Sequence, residues 1–271
     1  MDREQYDKLA WLEDRSWWFR LKREIVFDWL DRELIRSGVL GDPTIVDLGC
    51  GAGGTLTRLP FAATAIGLEY DNEEVQEAQR RGVRCLVRGN AGTLPFRSGS
   101  CDAILMLDVL EHLADDRSAL SEAHRALSRD GFLLATVPAH PFLWSPHDEA
   151  FHHERRYRRP ELTGKLLDAG FHLSRLSYAF ATAFPLACLI RPAKRLLARA
   201  GIADDRADDF RLLPVQLENL AYAVTHWEAV WLRERALPFG LSLAVVARKV
   251  PLAEIDRERS PPADSGAMTA G

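Results

Sequence analysis

Apolar positions along the chain change rhythm twice. From residue 3 to 37 they fall near the helical period at Leu9, Leu12, Trp18, Leu21, Ile25, Trp29 and Leu30. Gly38 and Gly41-Asp42-Pro43 stop that helix. Short apolar runs then predict strands at 44–48 (TIVDL), 65–68, 84–88, 102–107 (DAILML), 132–137 (FLLATV), 171–178 and 239–248. Helices are predicted between them at 54–59, 72–81, 114–127 and 160–169. DAILML is apolar at nearly every position, as a strand covered on both faces requires. Strands alternating with helices predict an α/β fold, a doubly wound, mostly parallel seven-stranded sheet. The organisation expected is a helical cap at 1–41, a core at 42–179 and 237–250, and a helical insertion at 180–236 before the last strand. Residues 251–271 are polar, rich in small residues, and expected to be a disordered tail.

Composition narrows the function without naming it. A hydrophobic fraction of 47% over 271 residues supports a substantial core. A net charge of −4 and no basic stripe argue against a nucleic-acid partner. Cys50, Cys85, Cys101 and Cys188 stand far apart with no CxxC pair, so neither zinc nor a disulfide framework is expected. The acidic, polar N-terminus lacks a basic segment followed by an apolar run, which leads us to expect a cytoplasmic protein.

The first chemical signal is Asp47-Leu48-Gly49-Cys50-Gly51-Ala52-Gly53-Gly54, where the first strand runs into the first core helix. Glycines there allow positive φ and close approach of backbone to a ligand. Glu69 ends the second strand about 20 residues on, where a carboxylate accepts both ribose hydroxyls. Gly49, Gly51 and Gly54 also satisfy G-x-G-x-x-G, so on this loop alone an NAD(P)-dependent oxidoreductase remains open.

Five segments discriminate further. VDLGCGAGG, GLEYD, GNAGTLPFRSGSCDAI, LDVLEHL and LSRDGFLLATVP occur in this order, and here the chain resembles the class I S-adenosylmethionine-dependent methyltransferases. The resemblance implies a Rossmann-like methyltransferase fold with S-adenosyl-L-methionine as cofactor and S-adenosyl-L-homocysteine as product. It implies that Asp47, Gly49, Cys50 and Gly51 border the methionine portion, Glu69 holds the ribose and Tyr70 covers the adenine. Asn90, where the family more often has Asp, and Ala91 would meet the adenine edge. Leu107, Asp108 and His112 would line the far wall. The aromatic stretch Trp18-Phe19-Arg20 with Lys22 resembles a helix that closes over the cofactor in a subset of the family, a basic residue meeting its carboxylate. The competing reading is that the tryptophans are core.

The acceptor side is expected after the fifth strand, near the carboxyl edge of the sheet. His147, Asp148, His153, Arg155, Arg156 and Tyr157 resemble the H-D-x-x-x-x-H-x-R-R-Y signature of a bacterial methyltransferase subgroup associated with secondary metabolism. Three readings stand side by side. His153 or His147 is a general base, oriented by Asp148 and with Tyr157 nearby. Alternatively, Trp144, Arg155 and Arg156 bind an anionic acceptor. In the third, the motif is a hydrogen-bonded strut. His147, Asp148, His152 and His153 follow no zinc spacing, so no metal is expected. The acceptor expected is a natural product, a lipid-linked sugar or a phenol, methylated on oxygen or carbon. A protein that keeps the cofactor pocket without methylating is the remaining alternative. Residues 177–190 form an apolar run followed by Arg191, Lys194, Arg195 and Arg199. It is too short to span a bilayer but suits an acceptor lid, peripheral membrane contact through 177–199, or a buried helix. Oligomeric state is left at monomer or homodimer.

Overall fold

Seven strands pair into one sheet in the order β3-β2-β1-β4-β5-β7-β6. They are β1 (Thr44–Leu48), β2 (Thr64–Glu69), β3 (Cys85–Arg88), β4 (Cys101–Leu107), β5 (Leu127–Pro138), β6 (Phe171–Ala179) and β7 (Ser242–Lys249). The computed structural model describes residues 12–39, 41–59, 63–199 and 214–249, with the side chains of 194–199 excepted. The predicted tail at 251–271 and the start of the cap lie outside those residues. The first five strands are parallel, and β7 runs antiparallel to both β5 and β6.

Alternation along the central strands builds two cores. Ile104 and Met106 of β4, Leu133 and Ala135 of β5, and Val245 and Ala247 of β7 face one layer. Ala103 and Leu105, Phe132 and Leu134, and Ala244 and Val246 face the other. This period-2 division is what a sheet covered on both sides requires.

The helices are α1 (Trp17–Arg36), α2 (Asn72–Arg80), α3 (Asp116–Ala126), α4 (Pro146–Ala150), α5 (Arg159–Asp168), α6 (Phe184–Arg199), α7 (Val215–Thr225) and α8 (Trp227–Trp231). α3 and α5 cover the first core through Ala119, Leu120, Leu162 and Leu166. α1 covers the second with Leu21, Ile25, Trp29 and Leu30. The single cap helix expected over 3–37 is broken at Ser16, whose side chain accepts from Trp18 N and starts α1.

The insertion is anchored by two buried carboxylates. Glu228 accepts from Ala181 N at 2.8 Å and Thr182 N at 2.7 Å, and Glu218 accepts from Trp17 N at 2.7 Å. α7 therefore lies against the cap.

Three boundaries differ from expectation. The helix predicted at 54–59 is a 3-10 turn, Leu56–Arg58. Leu59 turns extended (ψ 125) before Pro60, which disfavours helix in the residue preceding it. β5 starts at Leu127, directly from α3, with a register shift against β4 between Cys101 and Ala103. β7 begins at Ser242, three residues late, because Gly240 lies under Ala179. A Cβ there would sit 2.1 Å from the Ala179 carbonyl oxygen.

Candidate active site

The strand order reverses between β1 and β4, and the crevice beyond their carboxyl ends is where open α/β sheets bind ligands. A cavity of about 820 Å3 opens there, walled also by α1 and α6. Small-molecule and cofactor sites run roughly from 300 to 1,000 Å3.

The glycine loop forms its floor. Gly49 has φ 69, and a Cβ on it would come within 2.7 Å of Val109 Cγ2. Gly51, at φ 52, donates its N–H to Glu69 Oε2 at 3.0 Å. Glu69 Oε1 accepts from Tyr70 N at 2.7 Å and Asp71 N at 2.9 Å, so the loop holds this carboxylate at the end of β2. Tyr70 is exposed at the rim. Cys50 and Ala91 are buried, and Asn90 follows β3 with its carbonyl oxygen accepting from Gly92 N at 2.7 Å. Leu107 and His112 complete this side of the wall.

Asp108 stands at the strand reversal with φ 57, uncommon for a residue with a side chain. Its two oxygens are committed to Lys22 Nζ (2.9 Å) and Thr136 Oγ1 (2.8 Å). Burial works against its charge, but those two partners hold the carboxyl below its usual value. Lys22 thus spends its charge on Asp108, with Phe19 lying 4.7 Å away on its other side. Trp18 lines the cavity while stacking on Phe180 at 3.5 Å and 9°. Trp18 thus has one face packed in the molecule and also borders the cavity.

Asp47 borders a smaller recess shared with Glu13, Lys22 and Gly54. Burial, and then the charge of Glu13, pushes its carboxyl up to about 8. Glu74 is raised likewise to about 8, by burial and then Glu69. Arg20 is not on the cavity. Its guanidinium donates to Asn219 Oδ1 at 2.9 Å and covers the Tyr222 ring, because its position on α1 faces α7.

The acceptor residues separate into two groups. His147, His153 and Arg156 line the cavity. Trp144, Arg155 and Tyr157 do not, and their expected roles are corrected. The Tyr157 hydroxyl is buried between Asp116 Oδ2 (2.6 Å) and the Leu110 carbonyl oxygen (3.1 Å), and burial pushes its pKa far up. Arg155 pairs with Asp116 at 3.0 Å, and Trp144 Nε1 donates to Glu149 at 3.2 Å. In this chain half of the motif is a strut. Asp148 lies fully buried between them and the cavity residues, accepting from Ser145 N (2.8 Å), His153 Nδ1 (2.9 Å) and Arg156 Nε (2.7 Å). Burial opposes its charge, yet His153 and Arg156 hold its carboxyl well below the usual range.

Glu13 and Glu74, not singled out from the sequence, also line the cavity, brought there by packing that no local pattern announces; Leu186, Ile190 and Arg191 of the segment read as a possible lid line it too, as does Glu218. Glu111 was visible only as part of LDVLEHL. It is 1% exposed, neither carboxylate oxygen has a hydrogen-bond partner, and burial drives its pKa well up. Beside it, His112 opens into the cavity but is walled by protein, and burial lowers its pKa to about 4.

Comparison with known proteins agrees with this geometry. Residues 46–135 match the family described as Methyltransferase domain. A probable S-adenosylmethionine-dependent methyltransferase of Mycolicibacterium smegmatis is 31% identical over 60% of this chain and 62% of its own length. One from Mycobacterium tuberculosis is 29% identical over 59% of this chain and 57% of its own. The chain therefore spans about three fifths of the length of these curated relatives. Among solved structures, a SAM-dependent methyltransferase of Thermotoga maritima superposes with a TM-score of 0.54 at 16% identity, over 91% of this chain and 95% of that one. Geranyl diphosphate methyltransferase in complex with SAM gives 0.52 at 17%, over 77% and 79%. At those identities the two structures speak for the fold. Residues 46–135 thus match a methyltransferase domain, and the chain is similar over about three fifths of its length to probable S-adenosylmethionine-dependent methyltransferases.

Proposed function

We propose that the chain transfers a methyl group from S-adenosylmethionine to a small-molecule acceptor. The observation that carries this reading is one cavity joining the glycine loop and Glu69 to His112, His153 and Arg156. The residues present fit the cofactor. Gly49 and Gly51 line the cavity with bare backbone, and Glu69 Oε2, with one bond from Gly51 N, has a lone pair left for a ribose hydroxyl. Burial holds Asp47, Glu13 and Glu74 toward the protonated form, and a cation beside them would favour their ionisation. The bound cofactor supplies an electrophilic methyl group on a sulfonium.

The protein's own part is alignment and exclusion of water. α1 closes one side through Trp18, and α6 closes another with Leu186 and Ile190. An acceptor with an apolar portion suits that second wall. His153, its ring fixed by Asp148, is the group that activates the acceptor atom, and Arg156 backs the same carboxylate. An oxygen acceptor is the reading this polar end favours.

Titrating intrinsic tryptophan fluorescence with S-adenosylhomocysteine and with NAD(P) tests the proposal. We expect saturation by the first and none by the second. The reverse result would identify an oxidoreductase.

We also propose peripheral contact of the insertion with a lipid surface. Leu189, Leu217, Leu220, Val224 and Trp227 are all exposed, Leu189 by 73%. Among the described residues no helix is long and apolar enough to cross a membrane.

A further inference from the structure

Glu111 and His112, in the turn after β4, meet His153 from the loop after α4. One ligand-capable atom from each lies within 4.8 Å of the other two. A buried carboxyl group with neither oxygen partnered costs free energy unless something occupies its lone pairs. His153 is held from behind. His153 Nδ1 is 2.9 Å from Asp148 Oδ1, and Arg156 Nε fixes that same oxygen at 2.7 Å. The plane of the His112 ring meets that of His153 edge to face, with centroids 4.7 Å apart. Metal-ligating histidines are held in this way, one ring nitrogen tied to a carboxylate or backbone group and the other presented to the ion.

We propose that Glu111, His112 and His153 bind one divalent transition-metal cation on the cavity wall, with its remaining positions open to the acceptor. Two imidazoles and a carboxylate suit zinc, iron, manganese or cobalt better than magnesium or calcium, which prefer oxygen throughout. Three protein ligands leave room for an exogenous one. Spacing within residues 147–153 gives no hint of a metal, because only one of the three ligands lies there. The fold brings in the other two from about 40 residues upstream of His153.

The inference rests on the methyltransferase reading for the cation's purpose, not for its binding. With the Nε2 of His153 given to the cation as a ligand, the cation takes over from that ring as the activating group: it takes hold of the acceptor oxygen and eases loss of its proton to solvent. The carbon–sulfur bond then breaks as the carbon–oxygen bond forms, and sulfur keeps the electron pair.

The test is titration of metal-free, tag-free full chain with Co2+, followed by calorimetry and visible absorption. We expect one equivalent to bind with bands of nitrogen and oxygen ligation. Glu111→Gln and His112→Gln should each weaken binding by at least about tenfold, with unchanged circular dichroism. Cys85→Ser should bind as the parent does. The proposal is overturned if no saturable binding occurs, if both folded variants bind normally, or if the signal is a thiolate band lost with Cys85→Ser. Adenosylhomocysteine binding by the parent separates the two readings. Its presence without a metal sinks the cation alone, and its absence sinks the methyltransferase.

Discussion

At the scale of single residues, three substitutions probe the site. Gly49→Ala places a methyl 2.7 Å from Val109 in a backbone at φ 69. Adenosylhomocysteine affinity should fall by at least about tenfold with the sheet intact, since positive φ disfavours any side chain. Calorimetry reads this directly. Asp148→Asn strips the charge from a buried ion pair, a change that costs about 3–5 kcal/mol. The native carboxyl sits below its unfolded value of 3.8. Its stabilisation is therefore present above that value and lost as pH falls through the folded one, so the variant should lose that acid-side dependence in thermal melts. Asp47 works the other way. With its pKa raised to about 8, it contributes stability that is full below 3.8 and drains as pH rises through about 8. A cationic cofactor favours the ionised form, so binding should release protons near neutral pH and tighten as pH rises toward 8. Calorimetry in two buffers of different ionisation enthalpy measures the proton count, and proton uptake would refute the assignment. Glycines and Glu69 were legible in the sequence because their roles are local, set by a strand end and a tight loop. The split of His147–Tyr157 into cavity and strut residues was not. Adjacency along a chain does not say which way a side chain points, and here Asp116 draws Arg155 and Tyr157 away.

Elements carry a different kind of information. Strand positions followed from apolar runs because strands buried on both faces have no alternative composition. Ends followed less well, since they depend on contacts distant in sequence. Gly240 packed under Ala179 delays β7, and Ser16 breaks the cap. The cap is tied to the insertion by the Trp18–Phe180 stack and by Glu218 to Trp17 N. Trp18→Ala should therefore weaken adenosylhomocysteine by several-fold and speed its dissociation more than it slows association. Stopped-flow fluorescence separates the two rates. Equal effects on both would mean that α1 is a fixed wall and not a closing one.

The whole molecule presents an acidic cofactor end and an apolar insertion. If the insertion meets lipid, the protein should float with anionic vesicles and Leu189→Glu should abolish flotation while leaving adenosylhomocysteine affinity unchanged. Flotation of neither protein removes that proposal. The doubly wound sheet was foreseeable from alternating strands and helices; the position of its last strand was not, because two antiparallel pairings leave no mark on an apolar run. β7 lies between β5 and β6, and among the described residues β6 pairs with no other strand. During translation, then, β6 waits without a partner while some 60 residues of insertion emerge behind it. Only when 242–249 clears the ribosome can the sheet close. Nascent chains stalled before that point should be protease-sensitive and in need of a chaperone, although every residue of the glycine loop has long been made.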